Sequence, residues 1–258
     1  MIRFDSPLKN AAFLVYRWMK PIVDPVNAAH GIRGYIHFIR DWISYGRLEG
    51  AEPRRLLDTA PNVLDNTSTT PFDRHYFYQN VWAFRKIKES GVPRHVDVAS
   101  QIPFVSFLTA ICDITFIDIR PLEADLPHFD SRPGSVLAMP YPDGSIQSLS
   151  CLHVAEHIGL GRYGDPLDPH GTRKACAELS RVLAPGGSLY FSMPIGVPRL
   201  CFNAHRIHST DQVRQYFQGL RLVELSGIGD NRRFHSNIDP ALLDKSSYAC
   251  GLFHFTKD

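Results

Sequence analysis

No charge of one sign prevails in this chain. Against 28 Lys and Arg stand 26 Asp and Glu over 258 residues, a formal net charge of +2 at pH 7. No Lys/Arg block breaks that balance, so the electrostatic footprint of a nucleic-acid binder is missing and no nucleic-acid partner is expected. Cysteine is sparse: Cys112, Cys151, Cys176, Cys201 and Cys250 are odd in number and include no C-x-x-C spacing. That argues for free thiols packed as small hydrophobes, and for a reducing, cytoplasmic compartment. Long hydrophobic runs are missing too. The longest early one, Ala11 to Tyr16, falls far below the roughly 18 residues a membrane span needs, and no small-residue cleavage site follows it. Phe13, Leu14, Trp18 and Met19 beside Arg17 and Lys20 leave peripheral membrane contact as one reading of this segment. A helix packed on the main domain or on a second subunit, giving an oligomer, is the favoured one, because such patterns are common in soluble helices. No internal repeat is visible.

What the chain does have is a pair of short apolar runs, each with a carboxylate near its end: His95-Val96-Asp97-Val98-Ala99 and Ile114-Thr115-Phe116-Ile117-Asp118-Ile119-Arg120. Such runs bounded by turn signals read as buried strands, and a helix-length stretch between them makes a βαβ unit. An acid at the carboxyl end of the second strand is where doubly wound folds hold the two ribose hydroxyls of a nucleoside cofactor.

Residues 1–50 read as helical, with Tyr35, Ile36, Ile39, Trp42 and Ile43 on one apolar stripe. Pro53, Pro61, Pro71 and the polar run 65–70 mark a connector, so residues 1–72 form a helical extension and connector, and residues 73–258 the main domain. A helix starts at the Asp73 cap and ends by Gly91. Strands follow at 95–99, 114–120, near 135–138, 146–154, 187–193, 220–226 and 248–255. Helices are expected at 103–111, at 171–183, and at 210–219 behind a Ser209…Gln212 capping box. Alternating elements predict a mostly parallel sheet covered on both faces. The last two strands, with no clear helix between them, predict an antiparallel edge pair.

Seven strands with that ending resemble the Rossmann-like class I S-adenosylmethionine-dependent methyltransferase fold. Met139-Pro140-Tyr141-Pro142-Asp143-Gly144-Ser145-Ile146 is similar to the segment leading into its strand four. Val154-Ala155-Glu156-His157-Ile158 resembles the end of that strand, and Leu183-Ala184-Pro185-Gly186-Gly187-Ser188-Leu189 the turn into strand five. Three stretches, Asp118 to Leu122, Glu156 to Asp168 and Phe202 to Arg206, resemble more closely a bacterial family of methyltransferase-like proteins, domain of unknown function family 268.

The resemblance implies S-adenosyl-L-methionine as cofactor and a small-molecule substrate. For the cofactor it selects Asp97, Ala99, Ser100 and Gln101 after strand one, Asp118 and Ile119 after strand two, Ser135 and Val136 on the adenine side, and Leu152 and His153 at the end of strand four. Two features depart from the family. The glycine positions after strand one read Ala99, Gln101 and Pro103, of which none takes φ > 0 cheaply, and Ser135 replaces the adenine-side acid. Gly159-Leu160-Gly161-Arg162-Tyr163-Gly164 matches the dinucleotide pattern G-x-G-x-x-G, yet Pro166 and Pro169 delay the helix that pattern must open. A loop folded tightly over the sheet edge is the better reading of these glycines.

Chemistry in open α/β sheets sits at the strand carboxyl ends. The loop after strand four supplies Glu156, Arg162 and Tyr163 to a substrate. The loop after strand five supplies Asn203 and Arg206. His157 is the first candidate for a general base toward a hydroxyl acceptor and His205 the second, with Asp165 as the orienting acid. Arg162 and Arg206 suit an anionic substrate, while an Arg162–Asp165 pair that only fixes the loop is the alternative. No metal is expected from the adjacent Glu156-His157 pair. The expected reaction is methyl transfer to a small polar acceptor, by resemblance a sugar or nucleotide-linked sugar. Against it stand a non-catalytic binding or regulatory protein of the same fold, and an enzyme using another nucleotide ligand.

Overall fold

The structure is a computed structural model and describes residues 6–19 and 24–258. The chain divides into two compact units, Ile2–Phe72 and Asp73–Asp258. In the first, α1 spans Pro7–Met19 and α2 Pro25–Tyr45. Of the expected stripe on α2, Tyr35, Ile36, Ile39 and Ile43 are exposed and Trp42 is half-buried. Phe13 is half-buried and Met19 exposed. Lys20 and the side chains of Leu14, Arg17 and Trp18 lie outside the described residues. No described helix is long and apolar enough to cross a membrane.

The second unit opens with α3 (Arg74–Ser90). Asp73 caps it by accepting from the His75 and Tyr76 amides, and Gly91 closes it at φ 65°. Then come β1 (Arg94–Val98), α4 (Ile102–Leu108), β2 (Asp113–Asp118), β3 (Phe129–Pro133) and β4 (Ile146–Leu152). They are followed by α5 (Gly171–Val182), β5 (Leu183–Ile195) and a small hairpin of β6 (Arg199–Cys201) and β7 (His205–Ile207). The chain ends with α6 (Thr210–Tyr216), β8 (Arg221–Ile228), β9 (Phe234–His235), α7 (Pro240–Asp244) and β10 (Ala249–Thr256). The Ser209–Gln212 capping box is present in both directions.

The sheet order is β3-β2-β1-β4-β5-β10-β8-β9. The first five strands run parallel, and β10 is antiparallel to both β5 and β8. The final pair is therefore antiparallel but not an edge. β10 inserts between β5 and β8, and the two-residue β9 takes the edge. The order reverses between β1 and β4, which opens a crevice at their carboxyl ends.

Alternation along the strands sends residues to two apolar layers. Val96, Val98, Leu149, Phe191, Met193 and Phe253 face the α5–α6–α7 side. Phe116, Leu152, Tyr190 and Leu252 face α3 and α4, where Trp82, Ile87, Phe104 and Leu108 meet them. Each such side chain contributes about 1.5–3 kcal/mol on burial, so the crevice stands on a rigid floor. All five cysteines are free and buried.

The third strand is displaced from the expected 135–138 to 129–133. As an edge strand it is largely exposed and ends in Pro133, so its sequence carries no apolar run. The apolar Val136-Leu137-Ala138 instead forms a tight turn with a Ser135–Ala138 bridge, which buries Val136.

Candidate functional site

Two adjoining pockets lie over the carboxyl ends of β1, β2 and β4. The outer, of about 370 Å³, takes Asp118, Ile119, Ser135 and Val136 on one wall and Asp165 on the other. The inner, of about 270 Å³, takes Ser100, Gln101, Leu152, Glu156, Arg162 and His205. Ala99, His153, His157 and Tyr163 line both, so the two share a wall. A wider cavity of about 750 Å³ lies at the opposite ends of the strands, around Arg94, Asp113 and Gln147, and no expected site residue lines it.

Asp118 ends β2 with its carboxylate at the outer pocket. Oδ1 accepts from the Arg120 amide at 2.8 Å, which fixes the side chain and leaves Oδ2 to face a ligand. Ser135 Oγ accepts from the Leu137 amide at 3.1 Å, holding the turn that forms the far wall. Ala99 adopts φ 52° where the family has glycine, and its amide donates to Ile117 O at 2.9 Å. A methyl group is thus carried through a left-handed turn that keeps the backbone close to the pocket. Ser100 and Gln101 belong to the inner pocket, as does Leu152. Ser100 Oγ accepts from the Leu152 amide at 3.1 Å, and Gln101 Oε1 accepts from Asn80 Nδ2 at 3.1 Å.

Asp97 lines neither pocket. It is fully buried, its Oδ1 accepts from the Ser100 amide at 3.0 Å, and its Oδ2 accepts from the Ser150 hydroxyl. Ser150 also meets His95 Nε2 at 2.8 Å. Burial pushes Asp97 up to about 6 and His95 down to about 3. The role expected for Asp97 at the cofactor is therefore replaced by that of a post holding the β1 turn.

On the inner side, Glu156 and His157 sit in a single 3₁₀ turn, Ala155–His157. Glu156 is fully buried with neither oxygen hydrogen-bonded, and burial pushes it up to about 8. His157 Nδ1 meets the Ala204 carbonyl at 2.6 Å, and its Nε2 stands 3.7 Å from Glu156 Oε1. Burial brings His157 and His205 down to about 4, so both are neutral at pH 7. The His205 ring stacks with Tyr248 at 5.2 Å and leaves Nε2 unpartnered. Tyr163 has the guanidinium groups of Arg120 and Arg162 over its ring at 4.9 and 5.1 Å.

Asp165 lines the outer pocket but spends its carboxylate on the loop, and Arg206 and Asn203 line neither pocket. Asp165 accepts from the Gly159 amide at 2.6 Å and the Tyr163 amide at 3.3 Å, so it does not orient His157. Burial alone would raise Asp165, but these backbone donors outweigh it and hold the group low. Arg206 grips the carbonyls of Ile158 at 2.5 Å and Asp168 at 2.9 Å, and is unavailable to a substrate. Asn203 is exposed beyond the pockets, in the β6–β7 turn. Arg162 does not pair with Asp165; it donates to Ala204 O at 3.1 Å. The G-x-G-x-x-G glycines lie at φ 82°, 68° and 85° in this loop, and α5 starts only at Gly171.

Tyr76 and Tyr248 line the inner pocket without having been anticipated. Tyr76 comes from the first turn of α3 and Tyr248 from the residue before β10, so only folding brings them to His153 and His205. Arg120, Gly134 and Leu137 on the outer pocket are also new. They adjoin Asp118 and Ser135 in sequence, which was signal enough to include them.

Solved structures share this architecture. The N-methyltransferase NodS from Bradyrhizobium japonicum WM9, in complex with S-adenosyl-L-homocysteine, superposes with TM-score 0.51 at 16% identity, covering 76% of this chain and 91% of that one. This is the class I methyltransferase fold. Geranyl diphosphate methyltransferase in complex with SAM matches at 0.50 and 13% identity, over 70% of this chain and 85% of that one. The [4+2]-cyclase SpnF matches at 0.50 and 14%, over 70% and 81%, so this fold also carries another activity. The family profile described as "Caenorhabditis protein of unknown function, DUF268" matches residues 143–244. Its description names an animal genus where a bacterial family was expected. No curated protein sequence matches the chain. Among the described residues, no three His, Cys, Asp or Glu side chains are grouped to hold a metal ion.

Proposed function

We propose that the protein is an S-adenosyl-L-methionine-dependent methyltransferase acting on a small polar acceptor. One observation carries the reading: a pocket with Asp118 at the end of β2 adjoins, across shared lining residues, a second pocket with a buried, unpartnered carboxyl group. The outer pocket fits the methyl donor. Asp118 would hold the ribose hydroxyls, Ser135 and Val136 would take the adenine side, and the turn at Ala99 would take the amino-acid end. When bound, the donor supplies a sulfonium methyl group to an acceptor in the inner pocket.

The chain's own part is to position the acceptor and to take its proton. The Ala204 carbonyl can only accept, so His157 Nδ1 carries the imidazole proton and Nε2 is the bare base. Glu156, 3.7 Å from that nitrogen, borders the same pocket but is kept protonated by burial, so the proton stays on His157. His205 lies 6.4 Å from His157 between ring centres and lines the far wall. A non-catalytic protein of this fold would have no need to keep Glu156 buried without partners, which costs about 1–3 kcal/mol or more.

Calorimetric titration with S-adenosylhomocysteine, beside NAD and UDP, tests the cofactor. Micromolar binding of the first alone is expected. Asp118→Ala should weaken it about tenfold or more, since hydrogen bonds to a charged group contribute about 1.5–3 kcal/mol. Silence from all three ligands in folded protein would favour the non-catalytic reading.

A further inference from the structure

The hydrogen bonds behind the inner pocket fix which atoms its wall presents. Ser192 has one hydroxyl proton and gives it to Gln79 Oε1 at 2.6 Å. Toward His153 Nδ1, 3.1 Å away, the same oxygen can only accept. His153 Nδ1 therefore carries the proton of the neutral ring, and Nε2 is bare, buried and unpartnered. His157 has the same tautomer through the Ala204 carbonyl. Both oxygens of the fully buried Glu156 are unpartnered as well. Two bare ring nitrogens and, once it ionises, the Glu156 carboxylate thus stand unanswered behind one cavity, an arrangement that costs stability unless a ligand answers it.

We propose that the inner pocket selects a substrate bearing a primary amine, bound as its ammonium with N–H groups on Glu156, His153 Nε2 and His157 Nε2. The inference rests on the methyl-transfer reading of the site and names its substrate class. An ammonium brings three donors and no acceptor, which matches this wall. A hydroxyl carries no charge to ionise Glu156 and brings one donor where an ammonium brings three. The rings of Tyr76 and Tyr248 suit a cation. Arg162, the one cation at this pocket among the described residues, is held at the rim on Ala204 O and over Tyr163.

The test is calorimetric titration of the S-adenosylhomocysteine-loaded protein at pH 7 with glucosamine and with glucose, which differ by one amine for one hydroxyl. Glucosamine is expected to bind at least tenfold tighter. Its binding should also release close to one proton, read by repeating the titration in buffers of different ionisation heat. Glu156 starts protonated because burial holds it at about 8, and the ammonium ionises it. It faces Tyr76, Tyr248, Arg162 and the thiols of Cys151, Cys176 and Cys250. The phenols and thiols are all pushed up and stay neutral, so none of them supplies that proton. His153, His157 and His205 are held neutral by burial and have none to give.

Glu156→Gln should remove the preference while S-adenosylhomocysteine affinity stays within about threefold. His153→Asn, which tolerates the φ of 57° at that position, should weaken glucosamine severalfold and guards against a misfolded first variant. Equal affinity for the two sugars, absence of binding by both, or a preference that survives both substitutions overturns the proposal. Tetramethylammonium binding as tightly as glucosamine would overturn it too, by assigning recognition to the rings alone. Failure of S-adenosylhomocysteine to bind would instead strike the methyl-transfer reading, and the glucosamine arm on unloaded protein keeps the two apart.

Discussion

Ala99 holds a left-handed turn at φ 52° that a glycine would hold without strain. A residue with a Cβ in that region costs about 1–2 kcal/mol. Ala99→Gly is therefore expected to raise Tm by about 2–4 °C, after allowing for glycine's greater freedom in the unfolded chain. Thermal unfolding of the two proteins measures it, and an unchanged or lower Tm would mean that the turn is relaxed as it stands. The sequence pointed to this position and to its missing glycine; that alanine keeps the glycine's conformation was not readable, because φ at one residue is set by the β1–β2 pairing around it. Asp97 teaches the same at closer range. Its place at the end of β1 was legible, but its side chain turns inward to Ser150 and the Ser100 amide, and the direction of a side chain follows the pleat and the neighbouring strand.

At the scale of elements, the loop between β4 and α5 is held over the sheet by three devices. Asp165 ties its backbone from within, Arg206 clamps Ile158 O and Asp168 O from the β7 side, and Gly159 lets residues 159 and 168 approach closely. A Cβ on Gly159 would meet Asp168 O at 2.1 Å, in a backbone already at φ 82°. Gly159→Ala is expected to cost about 2 kcal/mol or more. Amide exchange should speed up across residues 158–170 while the strands of the sheet keep their protection. Exchange that rises evenly through the whole domain would show that the loop is not a separate unit. The loop's compactness was foreseen from its glycines and prolines. That Arg206 and Asp165 serve it was not, because a charged residue at a predicted carboxyl edge reads alike whether it meets substrate or backbone.

At the scale of the whole molecule, buried titratable groups set the response to pH. Burial lowers His95 to about 3 and His157, His205 and His208 to about 4, from an ordinary 6.5. The unfolded chain takes up these protons below pH 6.5 and the native state does not, so the histidines withdraw stability as pH falls from 6.5 toward 4. Burial raises Asp97 from 3.8 to about 6 and Glu156 from 4.5 to about 8. Their contribution is full at low pH and is lost as pH rises through 6 and 8. Between pH 4.5 and 6 four histidines act against two carboxyls, and acid destabilises. At 6.5 the unfolded histidines are still half protonated, so their contribution is complete only about one pH unit higher, where Glu156 alone among these six lowers stability. Tm should peak near pH 7 in a melting series from pH 4 to 8.5. In Glu156→Gln the decline from pH 7 to 8 should flatten, and a decline that persists there would remove Glu156 as its cause.

The alternation of short apolar runs with helical stretches was enough, by itself, to determine a covered parallel sheet, its βαβ start and the place of Asp118, since burial periodicity and turn chemistry are local. The family segments around Glu156 marked the loop that lines the inner pocket. Tertiary structure alone decided that β10 enters between β5 and β8, that β3 is an exposed edge at 129–133, and that Tyr76 and Tyr248 meet His153 and His205 across the inner pocket. It also decided that Glu156 is left without a partner. These outcomes depend on contacts between residues as far apart as α3 and β10, and a local pattern holds no information on what will stand opposite it once the sheet is assembled.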